Sequence, residues 1–354
     1  MAGARRWSLE LLLALYTISY IPSVALTKLL STRPSADLGR PLGGVEQLPA
    51  NLMISGVLTL AFVLLAGWWR EAAGPGRRFP RPSGWMILSG MGTALVLVTV
   101  PLSFTFEGVS IPFIQLLMRG DILLIAPLVD LVAGRRVRWY SWVALLLVGA
   151  GLAVTIHQRG GLALPPLALA TVLLYTLGYF LRLFVMTRIA KTGEAASARR
   201  YFVEEKLVAL PVAILVLVGL TLATGGGQAA ALSWGFVRVW TSPEIGTLAV
   251  LGLLSFVISV FSVLILLDKR ENSYCVPMER SASILAGLAA AALLAGFYGL
   301  PAPSRAEYAG AALLVAAIVL LSVAPRLERR RVSPALAVAR DADDPVHPAA
   351  TQAR

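Results

Sequence analysis

The sequence predicts an all-α polytopic membrane protein, with ten transmembrane helices arranged as two inverted five-helix repeats. Three observations lead there. The chain of 354 residues is 57% hydrophobic and only 14% charged, with a mean hydropathy of +0.77, a balance outside every water-soluble class. Its apolar stretches are continuous runs of about twenty residues, the length of a helix crossing a core of about 30 Å, not the short alternating segments of a barrel. And residues 118–154, MRGDILLIAPLVDLVAGRRVRWYSWVALLLVGAGLAV, share a plan with residues 278–321. In both, a charge cluster opens an apolar span, an arginine-containing turn follows, and a second span closes the unit. Met118-Arg119 falls opposite Met278-Glu279. Internal duplication in a membrane chain points to a transporter.

The apolar runs fall near residues 8–30, 50–69, 84–105, 109–132, 139–157, 163–187, 200–223, 244–267, 273–299 and 306–324. The first follows Arg5 and Arg6 as a signal peptide would, but it is long and lacks a small-x-small cleavage site, so it is expected to stay as a span. Residues 31–49, rich in Pro and Gly, read as an external loop. So do residues 225–242, whose Trp234, Phe236 and Trp240 suit an interfacial belt. After Arg331 the composition turns to Asp, Pro and Ala, which predicts disorder. The units are residues 1–157 for the first repeat, 158–325 for the second and 326–354 for a disordered cytoplasmic tail.

Sidedness follows from the basic residues. With the N-terminus cytoplasmic, one face collects 19 lysines and arginines, in clusters such as Arg77-Arg78 and Arg329 to Arg331. The other holds 5: Arg33, Arg40, Arg159, Arg238 and Arg305. This bias places both termini in the cytoplasm, at a plasma or inner membrane. It also explains the formal net charge of +12 without a nucleic-acid partner. The partners expected are the lipid bilayer and a small-molecule substrate, with homodimerisation left open. Because each half holds an odd number of spans, the halves are inverted, and span four and span nine bring their charges to a shared centre from opposite faces.

Those charges are the candidate site. Charges deep in a span cost about 3 kcal/mol or more and normally face a cavity or a partner. Arg119 lies about 15 Å into its span at 1.5 Å per residue, near the bilayer middle; Arg280 lies closer to the inner side. Either the four charges neutralise one another, Arg119 with Glu279 and Arg280 with Asp121, or the guanidinium groups grip a phosphate or carboxylate. The two states can also alternate. Polar residues at helical spacing surround them: Gln115 with Arg119, Tyr16 with Tyr20, and Tyr175 with Tyr179 and Arg182. Such stripes line a sugar or base pocket or anchor helix contacts. Glu204, Glu205 and Lys206 form a charge run at a helix start, expected at the interface, with Glu205 and Lys206 placed to reach inward. The glycines, among them Gly149, Gly151, Gly287 and Gly296, read as close-packing positions.

Catalysis has little to draw on. The chain has two histidines, His157 and His347, and one cysteine, Cys275. No metal-ligand pair, phosphate-binding glycine loop or nucleophile elbow is present in the sequence. Neither an enzyme nor a cofactor is expected, and any pumping is secondary.

Ten spans, a five-plus-five inverted duplication and inside termini resemble the drug/metabolite transporter superfamily. Within it, three segments resemble the nucleotide-sugar and organophosphate branch. Glu279-Arg280 followed by Ala286-Gly287 is similar to a span-nine motif in which Asn-Lys precedes Ala-Gly. VEEKLVALP, Val203 to Pro211, is similar to a span-seven motif with paired asparagines. LLMRGDILL is similar to the span-four segment centred on arginine. The resemblance implies alternating-access transport of a nucleotide sugar or phosphorylated sugar, with Arg280 in the place of the substrate-binding lysine and Arg119 at the centre of span four. Glu-Arg for Asn-Lys, and Glu-Lys for Asn-Asn, change the charge of that site. The chain also resembles the EamA-type exporters, which implies export of amino acids or cationic compounds with Glu279 or Asp121 as a proton site. Small multidrug exporters use a deep glutamate in span one, whereas Glu10 lies near the inner end. A ligand-binding membrane sensor or scaffold is the non-transport alternative.

Overall fold

A computed structural model describes residues 9–106, 109–118, 139–158, 164–190, 194–223, 225–267 and 272–342. Helices account for nearly all of them: α1 (Leu9–Leu30), α2 (Gly44–Leu65), α3 (Trp68–Ala73), α4 (Gly84–Ser103), α5 (111–118), α6 (Trp139–Gln158), α7 (Pro166–Ile189), α8 (Ala195–Ala223), α9 (Gly226–Phe236), α10 (Ile245–Leu266), α11 (Asn272–Tyr298) and α12 (Arg305–Ala342). Among the described residues there is no strand, only an isolated bridge between Pro34 and Pro41. Seven described segments are long and apolar enough to cross a membrane: α1, α2, α4, α7, α10, Ala196–Ala223 of α8 and Met278–Tyr298 of α11. The chain is thus an all-α polytopic membrane protein, since backbone polar groups in hydrocarbon must be satisfied within helices.

The packing is inside out relative to a soluble bundle. Leu65, Leu222 and Phe297 are 89%, 83% and 79% exposed, the sign of helices whose outer faces meet lipid. Inward, α4 packs on α7 and α8, α1 on α10 and α11, α10 on α2, and α6 on α12. Small residues set the closest approaches. A Cβ at Gly92 would lie 2.6 Å from the carbonyl oxygen of Gly178, and one at Gly178 would lie 2.6 Å from that of Gly92. α4 and α7 therefore touch backbone to backbone, as small residues allow in lipid where apolar burial offers no drive between helices.

Several boundaries differ from the sequence reading. α2 begins at Gly44, inside the segment read as an external loop. Its first turn is held by Glu46, whose carboxylate accepts from the Gly43 N–H at 2.6 Å and pairs with Arg40 at 2.5 Å; Pro49 sits in the second turn and has no N–H to give the Val45 carbonyl. Residues 225–242 are not an extended loop. They form α9 and a 3-10 turn, and Gly235 packs so closely on α2 that a Cβ would lie 2.4 Å from the Glu46 carbonyl oxygen. Trp234 donates its indole N–H to Asp37 at 3.0 Å, so a side chain assigned to the lipid interface is anchored to protein instead. α12 continues past Arg326 to Ala342, helical where the tail was read as disordered; Ala, Leu and Arg, all strong helix formers, recur there.

Candidate functional site

The helices enclose a cavity of about 900 Å³, mouth included, lined by α1, α2, α4, α7, α8, α10 and α11. Its charged end is built on α11, α7 and α8. Arg280 is 4% exposed. Its guanidinium lies flat enough on Tyr179 to put Cζ 3.9 Å from the ring centroid, with Tyr175 at 6.0 Å; the two tyrosine rings, one turn apart on α7, stack at 5.9 Å. Cation–π contact of this kind contributes about 0.5–2 kcal/mol. The neighbouring Glu279 approaches Arg280 Nε at 3.6 Å, close enough for an ion pair and too long for a hydrogen bond. Glu279 instead accepts from Ser262 Oγ of α10 at 2.7 Å and, weakly, from the Tyr179 hydroxyl at 3.4 Å. Arg280 Nε and Nη2 are buried without a hydrogen-bond partner among the described residues.

A second arginine lines the same cavity in a different state. Arg182 of α7 donates through Nε to Glu205 of α8 at 2.8 Å. The same carboxylate oxygen accepts from Thr93 at 2.6 Å and from the Tyr201 hydroxyl at 3.1 Å, and Tyr201 in turn shares a 2.6 Å hydrogen bond with Ser89. The contact between Gly92 and Gly178 is what makes this possible. It draws α4 and α7 together one residue from Thr93 and one turn before Arg182, so that donors from two helices meet Glu205. Lys206, beside Glu205, has its Nζ 5.8 Å from the Phe202 ring centroid and forms no ion pair among the described residues. Three cations, Arg182, Lys206 and Arg280, thus face two carboxylates, Glu205 and Glu279, and the described charges leave one positive.

Seven of the residues singled out in the sequence line this cavity: Tyr16, Tyr20, Tyr179, Arg182, Lys206, Glu279 and Arg280. The rings of Tyr16 and Tyr20 lie 5.3 Å apart on α1, tilted by 35°. Tyr175 backs Tyr179 without joining the lining. Gln115 is elsewhere: it is buried against Gly287 of α11, where a Cβ would lie 1.9 Å from its Oε1, and both its amide atoms lack a hydrogen-bond partner among the described residues. Arg119 and Asp121 lie outside the described residues. Glu204, Glu205 and Lys206 are 3%, 0% and 3% exposed rather than interfacial, because α8 starts at Ala195 and places them about three turns in.

The sequence reading passed over Asn51 of α2, Thr93 of α4 and Ser255, Ser259 and Ser262 of α10, all in the lining. The signals were present as a polar stripe, Gln47, Asn51, Ser55 and Thr59, at four-residue spacing on α2 and a serine stripe at i, i+4 and i+7 on α10.

Outside the spans, Glu244 ties the segment between α1 and α2 to the start of α10. It accepts from the Ser35 hydroxyl and, at 2.8 Å, from the Ala36 N–H. Burial pushes its carboxyl upward, but the hydrogen bonds from Ser35, Ala36 and Ser242 outweigh it and hold the group below the usual carboxylate range.

No family model matches the chain, and no curated protein matches it. Among solved structures, one described only as "Crystal structure of protein" superposes with a TM-score of 0.49 at 15% identity, covering 87% of this chain and 97% of that one. The functional reading therefore rests on the site itself.

Proposed function

We propose that the chain is a secondary transporter that carries a small organic anion by alternating access, with Arg280 as the anion-binding group. The observation that carries this reading is the state of Arg280: buried on the cavity lining, with two N–H groups lacking an acceptor. Leaving a buried donor unsatisfied costs about 1–3 kcal/mol per group. A ligand carboxylate or phosphate would supply the missing acceptors and neutralise the residual positive charge. Arg182, already bonded to Glu205, holds the wall rather than the ligand.

In this reading ten spans form two inverted five-helix repeats with both termini cytoplasmic, and the halves rock about the cavity. The long, lipid-exposed helices and the cavity with charged side chains at one end support it, as does the asymmetry of basic residues between the two faces. Phosphorylated sugars and nucleotide sugars are the first substrates to test. A second reading makes Glu279 a proton site for exporting cationic compounds; its burial on the cavity lining favours that.

The deciding experiment is thermal stabilisation of the purified protein by inorganic phosphate, glucose 6-phosphate, UDP-glucose, hexanoate and tetraethylammonium, for wild type and Arg280→Gln. A ligand at a hundred times its Kd adds about 2.7 kcal/mol. Stabilisation by an anion that disappears in Arg280→Gln is expected. Stabilisation by the cation alone, retained in the variant, would move the assignment to the proton-coupled reading.

A further inference from the structure

α2 ends at Leu65 and α4 begins at Gly84, and both helices are long and apolar enough to cross a membrane. Residues 66–83 therefore join two spans at one membrane face. They contain four arginines, Arg70, Arg77, Arg78 and Arg81, no lysine, and one acid, Glu71. Glu71 is engaged, since Arg199 of α8 donates to it. The four arginines are exposed and form no ion pair among the described residues.

A topogenic bias asks only that basic residues be present in such a connection. This one is also built. Beyond α3, Gly74 and Gly76 take φ of 74° and 73°, a conformation glycine adopts at little cost, and the chain returns to Trp69. The Trp69 indole N–H donates to the Arg78 carbonyl at 3.0 Å, and the Trp69 ring meets Phe79 edge-on at 5.8 Å. Pro80 is buried. Phe79, pinned on both sides, still stands 67% exposed, with Arg77 and Arg78 before it and Arg81 just after. Nearby in the chain, Trp85 at the start of α4 is 43% exposed, and the exposed Arg188 at the end of α7 lies 5.3 Å from its ring centroid.

We propose that this turn binds an anionic phospholipid of the adjoining leaflet. Phe79 enters the boundary between headgroups and acyl chains, where aromatic rings are favoured, and Arg77, Arg78 and Arg81 engage the headgroup phosphate, which their forked donors match. A soluble phosphate would meet the arginines and leave Phe79 in water; a lipid covers both.

The test titrates full-length protein in an uncharged detergent with dioleoyl phosphatidylglycerol or dioleoyl phosphatidylcholine, and bound lipid is counted by native mass spectrometry. An arginine near an anionic lipid surface is worth about fivefold in affinity. Wild type is expected to prefer phosphatidylglycerol by about twentyfold or more. Arg77→Gln/Arg78→Gln is expected to weaken phosphatidylglycerol about twentyfold and leave phosphatidylcholine unchanged. The turn survives in that variant, because Trp69 bonds the backbone carbonyl at residue 78. Phe79→Ser is expected to weaken phosphatidylglycerol about tenfold. Arg280→Gln, at the cavity, is expected to bind lipid as wild type does. Equal binding of the two lipids by wild type, an undiminished preference in Arg77→Gln/Arg78→Gln, or unchanged binding in Phe79→Ser overturns the proposal. So does an equal loss in Arg329→Gln/Arg330→Gln, which would make the preference a property of basic residues in general, or displacement of the lipid by an equal concentration of inorganic phosphate.

Discussion

Replacing Arg182 with Gln isolates the buried pair that braces the cavity wall. Glu205 is 0% exposed, and its Oε1 gathers three donors, from Arg182, Thr93 and Tyr201, while its Oε2 has none. Arg182→Gln keeps the two hydroxyl bonds but removes the cation hydrogen-bonded to the carboxylate, leaving only the neighbouring Lys206 as counter-charge among the described residues. Removing one partner of a buried pair costs about 3–5 kcal/mol, since the remaining charge is uncompensated. Glu205→Gln is expected to cost a similar amount by stranding Arg182. The double variant removes both charges and keeps the hydroxyls of Thr93 and Tyr201 as donors to an amide oxygen. It is expected to be less damaging than either single change, which requires a coupling energy larger than the larger single cost, at least about 3–5 kcal/mol. The assay is equilibrium unfolding in lipid–detergent bicelles, read as a double-mutant cycle. Additive effects, or a single-variant cost below about 1 kcal/mol, would show that the pair does not brace the wall and would refute the division of labour between Arg182 and Arg280.

Two further outcomes follow from the helix contacts and the segment between α1 and α2. Gly178→Ala puts a methyl 2.6 Å from the Gly92 carbonyl oxygen and is expected to destabilise by about 1–3 kcal/mol through overpacking; Gly149→Ala meets nothing within 4 Å and is expected to be neutral or to stabilise by up to about 1 kcal/mol, both read as thermal midpoints. The Glu244 carboxyl is depressed in the folded state, so its stabilisation is present above its unfolded pKa, about 4.3, and is lost as pH falls through the lower folded value. Hydrogen exchange at residues 35–40 is expected to accelerate on acidification through that window in wild type, and to be fast and pH-insensitive across it, after correction for intrinsic exchange, in Glu244→Gln. Unchanged protection in that variant would remove the clamp.

What the sequence revealed was decided by how local each signal is. Apolar run length marked the seven described membrane helices, and charge within a span drew attention to Glu279 and Arg280 before any coordinate. Stripes at i and i+4 placed Tyr16, Tyr20, Tyr179 and Arg182, which all reach the cavity because one helix face is enough to aim them. Glu205 was weighed as interfacial because nothing local reveals that α8 starts at Ala195, nor that Thr93 and Arg182 come from two helices drawn together by glycines far apart in sequence. Asn51 was missed although Gln47, Asn51, Ser55 and Thr59 recur every four residues along α2, because the stripe begins in the stretch read as a loop. Residues 225–236 were mistaken for a loop because Gly and Ala in α9 carry little periodicity, while its fixing contacts, Gly235 on α2 and Trp234 on Asp37, are tertiary. Gln115 shows the limit of spacing arguments, since its face turns to Gly287 of α11 and not to the cavity lining.

The most direct test of the account is counterflow in proteoliposomes. Vesicles loaded with an unlabelled anion that stabilises the purified protein are diluted into the same anion in radiolabelled form, with wild type, Arg280→Gln and protein-free vesicles compared. Losing two charge-assisted hydrogen bonds, each about 1.5–3 kcal/mol, is expected to weaken anion binding by at least about a hundredfold. Label should therefore accumulate with wild type and stay at the protein-free level with Arg280→Gln at substrate concentrations below the variant's Kd. Binding without flux in wild type would make the protein a receptor, and wild-type flux in Arg280→Gln would contradict the central claim that Arg280 holds the transported anion.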